Sequence, residues 1–305
     1  MAFETDLLID RRRLKRRLAL WRGAAVLLLA AAAAVLFWGR GEEGLLPGRG
    51  HVARVEVEGF ISDDRRMIEA LDRVRRDAAA RAVILAIDSP GGSVAGGEAL
   101  HAAIARLQAR KPVVAVMRGT AASAGYMVAL PAERIFAREA TVTGSIGVLL
   151  QSPDVSDLMA QLGVRVHVIA SGPFKDQPSP FRPLTDEGRE ELNRVVVDLH
   201  EQFVAKVAAG RRMDPAAVRP LADGRIFTGR QALAAGLVDA IGGEAEARAW
   251  LAAERQVPET LPVRDVRVRT TTDRLLGAAL GSLAKTVISE WLGVDGPRLL
   301  WQAPR

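Results

Sequence analysis

The chain has 305 residues, of which 49% are hydrophobic and 26% are charged; this suits one large α/β domain or two smaller ones and excludes wholesale disorder. It contains no cysteine, which excludes a disulfide scaffold, a cysteine-ligated metal site and a thiol nucleophile. The net charge of +6 is concentrated near the N-terminus, and the rest of the chain is too nearly neutral to attract nucleic acid.

The N-terminus carries a basic segment followed by an apolar run. Residues 1–22 contain seven basic and three acidic side chains, and residues 23–38 contain no charge. As a helix, residues 18–38 would measure about 31 Å, enough to cross the hydrocarbon core of a bilayer. Trp21 and Trp38 would then lie near the two interfaces. The pattern predicts a cytoplasmic segment at 1–17, a transmembrane anchor at 18–38 and an extracytoplasmic remainder.

A cleaved signal peptide and a buried core helix are the alternatives for this run. A cleavage site needs small residues after the apolar run, but the chain continues with Phe37 and Trp38. A core helix would not follow a basic cluster. The sequence therefore favours an uncleaved anchor over a cleaved signal, with the glycine-rich residues 39–50 as a linker.

From residue 52 onward, short β-rich runs alternate with helical ones. The predicted strands are 52–58, 82–87, 112–117, 134–137 and 164–169, and the predicted helices are 63–80, 94–110, 121–130 and 185–209. This alternation predicts an α/β fold with a parallel sheet covered by helices on both faces. The histidines lack metal-ligand spacing, so we expect no metal and no other cofactor.

Two glycine-containing turns follow the best-predicted strands. Asp88–Ser93 (DSPGGS) leaves backbone N–H groups beside a helix start, where they could bind an oxyanion; it lacks the nucleotide-binding spacings, and a plain tight turn is the alternative. Gly119–Tyr126 (GTAASAGY) places Ser123 among small residues at a helix start, where a substrate could approach its hydroxyl. A helix-packing serine or an N-cap is the alternative there.

A third segment, 171–183 (SGPFKDQPSPFRP), holds Lys175 in a proline-rich loop. A serine hydroxyl needs a base, and no histidine lies in any of the three segments. A lysine can replace it if burial favours the neutral amine, which then accepts the serine proton and returns it to the leaving amine. The backbone N–H groups of Gly92 and Ala124 would hold the oxyanion. The sequence alone does not show that Ser123 and Lys175 meet.

The segments DSPGGSV, ASAGY, TGSIGV, SGPFKDQPSPFRPLT and DGRIFTGRQALAAGLVD resemble, in that order, those of peptidase family S49, to which signal peptide peptidase A belongs. The resemblance spans about residues 52–242 and is closest to the short, single-domain form. It implies a ClpP/crotonase-like fold for a protease domain at 51–257 and hydrolysis by a serine–lysine dyad. Within that dyad Ser123 is the nucleophile and Lys175 the general base.

The resemblance implies further roles and partners. Ser145 of TGSIGV would hydrogen-bond and orient the lysine, and Gly91 with Gly92 would form the oxyanion turn. The short form is similar to a homo-oligomeric ring in which neighbouring subunits supply the serine and the lysine. Its expected substrates are remnant signal peptides and other apolar peptides, at the extracytoplasmic face of the bacterial inner membrane.

Two residues depart from the family pattern. Ala124 and Met127 stand where the family has glycine and tyrosine; Ala124 keeps its backbone N–H, whereas Met127 leaves side-chain preference open. Residues 258–305 fall outside the resemblance, and their apolar spacing predicts a helical tail, amphipathic at 275–292. A crotonase-like thioester enzyme and a non-catalytic membrane scaffold of the same fold are the alternative functions.

Overall fold

The computed structural model describes residues 21–22 and 50–268. The chain divides into two units, Met1–Arg49 and Gly50–Arg305, and the elements below belong to the second. The predicted anchor at 18–38, apart from two residues, and the predicted amphipathic helix at 275–292 lie outside the described residues. Within the described ranges, no helix has both the length and the apolar character that crossing a bilayer requires.

The centre of the domain is a sheet to which the described residues contribute eight strands. Their spatial order is β6-β5-β3-β2-β1-β8, and β4 pairs with both β3 and β7. All pairings are parallel except that of β5 with β6. The strands are β1 (His51–Ile61), β2 (Ala80–Gly92), β3 (Val113–Ala122), β4 (Arg134–Ala137), β5 (Val142–Gly144), β6 (Ile226–Thr228), β7 (Ala240–Ile241) and β8 (Val263–Asp265).

Helices cover both faces of this sheet, as the alternating sequence pattern predicts. On one face, Leu71, Ile104 and Phe203 pack against alternate residues of β1, β2 and β3; on the other, Leu251 packs against Ile84 and its neighbours. The helices are α1 (Arg65–Arg76), α2 (Val94–Gln108), α3 (Ala124–Ala129), α4 (Ser156–Gln161), α5 (Asp186–Arg211), α6 (Pro215–Val218), α7 (Gly229–Ala234) and α8 (Glu244–Arg255). The fold is therefore α/β, with a mostly parallel sheet flanked by helices on both faces.

The domain extends past the boundary predicted at residue 257. Strand β8 pairs in parallel with β1, Val52 opposite Val263, and so adds an edge strand to the sheet. The described beginning of the predicted helical tail is therefore part of the central sheet, because its apolar residues complete that edge and pack against the core cluster around Ile84.

Residues 148–185, which we call the arm, differ from the prediction. The expected strand at 164–169 is absent: this segment belongs to no strand of the single chain, and Val164, Val166, Val168 and Ile169 are exposed. The sequence predicts a sheet strand here, but no strand among the described residues pairs with it. Ten of the sixteen exposed large hydrophobic side chains of the described residues lie in the arm.

Candidate active site

The end of β2 forms a tight turn against the start of α3. Gly91 has φ +123°, and a methyl group at this position would lie 2.8 Å from Ser123 Cβ and 3.2 Å from Ser123 Oγ. A methyl group on Gly92 would lie 1.9 Å from the carbonyl oxygen of Ile61. Both positions therefore require glycine, one for its backbone angle and both for the close approach of neighbouring atoms.

Ser123 stands between β3 and α3 in an unusual backbone conformation. Its φ is 54° and its ψ is −121°, a combination that an L-residue adopts only at an energetic cost. Its side chain makes no capping hydrogen bond to α3, so the alternative interpretation of Ser123 as an N-cap fails. Ala124 is the first residue of α3, and an N–H at that position has no acceptor within the helix. This N–H remains available to a ligand beside the Ser123 hydroxyl.

Ser145 emerges beside Ser123 because their strands are paired. Ala122 is opposite Gly144 in the β3–β5 ladder, and each serine follows directly after one member of that pair. Ser145 has φ 49° and donates its backbone N–H to the carbonyl of Arg225 at 2.8 Å. The two serines thus lie at the same end of the sheet.

Positive φ angles distinguish these two serines within the described residues. Four non-glycine residues there have positive φ: Ser123, Ser145, Arg212 and Gln256. Arg212 and Gln256 are left-handed residues that close α5 and α8, where such angles are common. The two serines end no helix, and backbone strain of this kind is frequent at functional sites.

Sequence reasoning missed Ser89, which is completely buried next to the turn. Its hydroxyl donates to the carbonyl of Gly59 at 2.6 Å and accepts the N–H of Gly91 at 3.1 Å. The Gly91 N–H therefore already has an acceptor within the chain. Of the residues predicted for the oxyanion turn, Gly92 and Ala124 are left as the candidate donors.

Lys175 lies in the arm and is exposed to solvent. Its backbone N–H donates to the carbonyl of Gly172 at 3.3 Å. Within residues 50–268, its side chain forms no hydrogen bond or ion pair, and hence none with Ser123. A single chain thus brings Ser123, Ser145 and the glycine turn to one end of the sheet and leaves the lysine amine in solvent.

Within the described residues, none of His101, His167 and His200 forms a hydrogen bond with Ser123. His200 Nε2 is 2.6 Å from the carbonyl oxygen of Ala222, and His167 is an exposed residue of the arm. Burial, together with the charge of Lys206, lowers the pKa of His101, which lies on α2. Among the described residues, no group of histidine and acidic side chains could hold a metal ion.

Comparison with known proteins gives a consistent result. The family model "Peptidase family S49" matches residues 105–258. "Putative protease slr0021" of Synechocystis sp. is 40% identical over 206 residues, covering 67% of this chain and 74% of that protein. "Putative signal peptide peptidase SppA" of Enterococcus faecium is 31% identical over 257 residues, covering 80% of this chain and 73% of that protein.

Longer relatives and solved structures match as well. "Protease 4" of Salmonella typhi is 34% identical over 188 residues, and the match spans only 30% of its length. A mutant of the 1510-N membrane-bound stomatin-specific protease has a TM-score of 0.47 at 17% identity, covering 72% of this chain and 99% of that chain. A ClpP1 mutant from Listeria monocytogenes has a TM-score of 0.41 at 17% identity, covering 62% of this chain and 91% of that chain. The family model covers Ser123, Ser145 and Lys175 together, and the chain belongs to peptidase family S49.

Proposed function

We propose that this protein is a membrane-anchored serine endopeptidase that degrades remnant signal peptides and other apolar peptides at the extracytoplasmic face of the bacterial inner membrane. The observation that carries the proposal is Ser123, held at φ 54° at the start of α3 with Gly91 packed against its side chain. This arrangement places a half-buried serine hydroxyl beside backbone N–H groups, as acyl transfer requires.

The chemistry uses Ser123 as nucleophile and Lys175 as general base. The neutral lysine amine takes the hydroxyl proton as Ser123 Oγ attacks the peptide carbonyl, and the N–H groups of Gly92 and Ala124 stabilise the oxyanion. The resulting ammonium returns its proton to the leaving amine as the C–N bond breaks. Water, deprotonated by the same amine, then hydrolyses the acyl-enzyme. Ser145 orients the amine from its place beside Ser123.

The arm supplies Lys175 to a neighbouring copy of the chain rather than to its own Ser123. An amine in bulk water is protonated near pH 7, so a base on an exposed loop must become buried before it can act. The arm also carries most of the exposed apolar side chains of the described residues, a surface too large to remain in water. Docking of the arm on the next subunit buries both the Lys175 amine and the apolar side chains of the arm. Repetition of this head-to-tail contact closes a ring.

The preference for apolar peptides is supported by the surroundings of the turn and by the resemblance. Phe60 pairs in register with Gly91 and is 71% exposed, so an apolar ring lies one strand away from the oxyanion turn. A relative of similar length carries the name signal peptide peptidase. The predicted anchor would hold the domain at the membrane, where signal peptides remain after their release.

Mixing two inactive variants tests the dyad and the shared site together. Full-length Ser123→Ala and Lys175→Ala are expressed separately and together, and cleavage of a fluorogenic apolar peptide is measured. Each variant alone is expected to be inactive. In a randomly mixed head-to-tail ring, about a quarter of the sites combine an intact serine with an intact lysine, so co-expression restores about that share of activity.

Two results would contradict the proposal, each at a different point. Cleavage by either variant alone at a rate near that of the unmodified protein would remove that residue from the mechanism. A mixed oligomer that forms but stays inactive would show that serine and lysine come from the same chain.

A further inference from the structure

We infer that Ser89 is a positioning residue for the oxyanion turn: its buried hydroxyl fixes the peptide of Gly91, so that the following N–H, that of Gly92, faces the carbonyl oxygen of a bound peptide. The inference rests on the proposed function and adds to it a residue that does not itself touch the substrate.

The Ser89 hydroxyl is engaged on both sides. The side chain is 0% exposed, and its oxygen donates to Gly59 O at 2.6 Å while accepting from Gly91 N at 3.1 Å. A hydroxyl that donates and accepts at once cannot rotate freely, and no water competes for it at this depth. It therefore fixes the distance between the end of β1 and the turn at the end of β2.

This bridge lies where the regular sheet is interrupted. The β1–β2 register shifts between Glu58 and Phe60, and the β2–β3 register shifts between Ile87 and Ser89. Ladder hydrogen bonds that would otherwise set the backbone direction are irregular at this point. At this irregularity one residue of β1, Gly59, lies opposite two residues of β2, and the Ser89 side chain supplies a donor for the Gly59 carbonyl and an acceptor for the Gly91 N–H.

The turn must be placed accurately because Ser123 is so close to it. A methyl group on Gly91 would lie 2.8 Å from Ser123 Cβ, so a small movement of Gly91 changes where the next N–H points relative to the nucleophile. The backbone of Ser89 also packs against α3, because a methyl group on Gly125 would lie 2.7 Å from the Ser89 carbonyl oxygen. One residue thus contacts both the oxyanion turn and the helix that begins directly after Ser123.

A purely structural role for the hydroxyl is the alternative, and Thr141 provides a matched control. Thr141 is 1% exposed; its hydroxyl donates to Arg118 O at 2.6 Å and accepts from Arg138 N at 3.0 Å. This bridge has the same chemistry as that of Ser89 but joins β3 to the loop before β5, and it makes no hydrogen bond to Gly91 or Gly92. Thr141→Val and Ser89→Ala therefore remove equivalent hydrogen bonds.

The test compares full-length Ser89→Ala, Ser89→Cys and Thr141→Val with the unmodified protein. Thermal unfolding, kcat, KM and inhibition by a peptide aldehyde, whose hemiacetal oxygen occupies the oxyanion position, are measured. Ser89→Ala is expected to lower kcat about 10- to 100-fold with KM changed less than about twofold, and to weaken aldehyde inhibition by a similar factor. Ser89→Cys, a weaker donor and acceptor of similar shape, falls between, and Thr141→Val keeps kcat at a comparable loss of stability.

Any different outcome contradicts either the role of Ser89 or the proposed function. If Ser89→Ala and Thr141→Val lose stability equally and both keep kcat and aldehyde inhibition, Ser89 is structural only. If KM rises while kcat is unchanged, Ser89 acts on ground-state binding and not on the oxyanion. If the unmodified protein and Ser123→Ala cleave the peptide equally, the proposed function itself fails, a result that the Ser89 comparison cannot produce.

Discussion

The backbone N–H of Ser123 donates to the carbonyl oxygen of Gly144 at 2.9 Å, and this bond joins the turn that carries Ser123 to the residue before Ser145. The bond continues the β3–β5 ladder by one step beyond Ala122. Two segments that are more than twenty residues apart in sequence therefore end side by side, each with a serine at positive φ. The relationship brings Ser145, the proposed lysine-orienting residue, to the same end of the sheet as Ser123, the proposed nucleophile.

Lys175→Arg is expected to be as inactive as Lys175→Ala. Arginine keeps its proton under all conditions that proteins tolerate, so it cannot accept one from Ser123. Lys206→Arg is the control, because Lys206 pairs with Glu98 at 3.1 Å and an arginine can keep that ion pair. Peptide cleavage by the oligomer-sized fraction measures both. Substantial turnover in Lys175→Arg would rule out proton transfer to this lysine.

Gly91→Ala is expected to lower kcat/KM by about 100-fold or more. The added methyl group would collide with Ser123 Cβ, and alanine at φ +123° is strained, so the turn and the nucleophile must separate. Gly236→Ala introduces an alanine at φ +74°, where the nearest side-chain atom is Met213 Sδ at 4.0 Å. This control should lose about 1 kcal/mol of stability and keep its activity. Equal activity in the two variants would contradict the assignment of the turn.

Ile169→Asp is expected to dissociate the oligomer without unfolding the domain. Ile169 is fully exposed in the arm, and an aspartate there would have to be buried at the proposed subunit contact. Light scattering after size exclusion gives the mass, and circular dichroism checks the fold. Leu233→Asp, a change at a partly exposed leucine of α7 outside the arm, should keep the mass. An unchanged mass for Ile169→Asp would separate the arm from assembly.

Asp239→Asn is expected to destabilise the domain by about 2 kcal/mol at pH 7 and by less at pH 3. Burial opposes ionisation of Asp239, but the hydrogen bonds and charge of Arg211, with the N–H of Ile135, outweigh it and lower its pKa. A carboxylate with a lowered folded-state pKa stabilises the protein above its unfolded value of about 3.9, and this contribution disappears as the pH falls.

Urea unfolding at both pH values measures this difference. Glu201→Gln is the matched control, because the Glu201–Arg219 pair is exposed and should change stability much less. A loss that is equal at pH 7 and pH 3 would show that the carboxylate charge of Asp239 contributes nothing.

Much of the sheet is predictable because its central strands are buried on both faces. The run 82–87 is apolar throughout, and it forms the middle of β2. The structure extends this strand to Gly92, since the turn residues continue to pair with β1 beyond the apolar run. The pairing of Phe60 and Ile61 with Gly91 and Gly92 depends on the tertiary fold. It produces no hydrophobic pattern in the sequence of β2 from which it could be predicted.

The arm shows the opposite case. Residues 164–169 alternate like a strand, yet the single chain provides no strand beside them. A hydrophobic pattern predicts which side chains become buried. It does not predict whether the same chain or another molecule buries them. Ser89 was missed for a related reason: its acceptor, Gly59 O, lies thirty residues earlier and comes close only through the β1–β2 pairing.

The exposed position of Lys175 bears on when the protein becomes active in the cell. If the proposed shared site is correct, a newly made chain carries Ser123 and Lys175 but does not bring them together, so we expect it to be inactive until it binds another copy of the chain. Peptide cleavage should then fall more steeply than in proportion when the enzyme is diluted. A high local concentration of the protein at the membrane would then favour assembly and so switch on peptide cleavage.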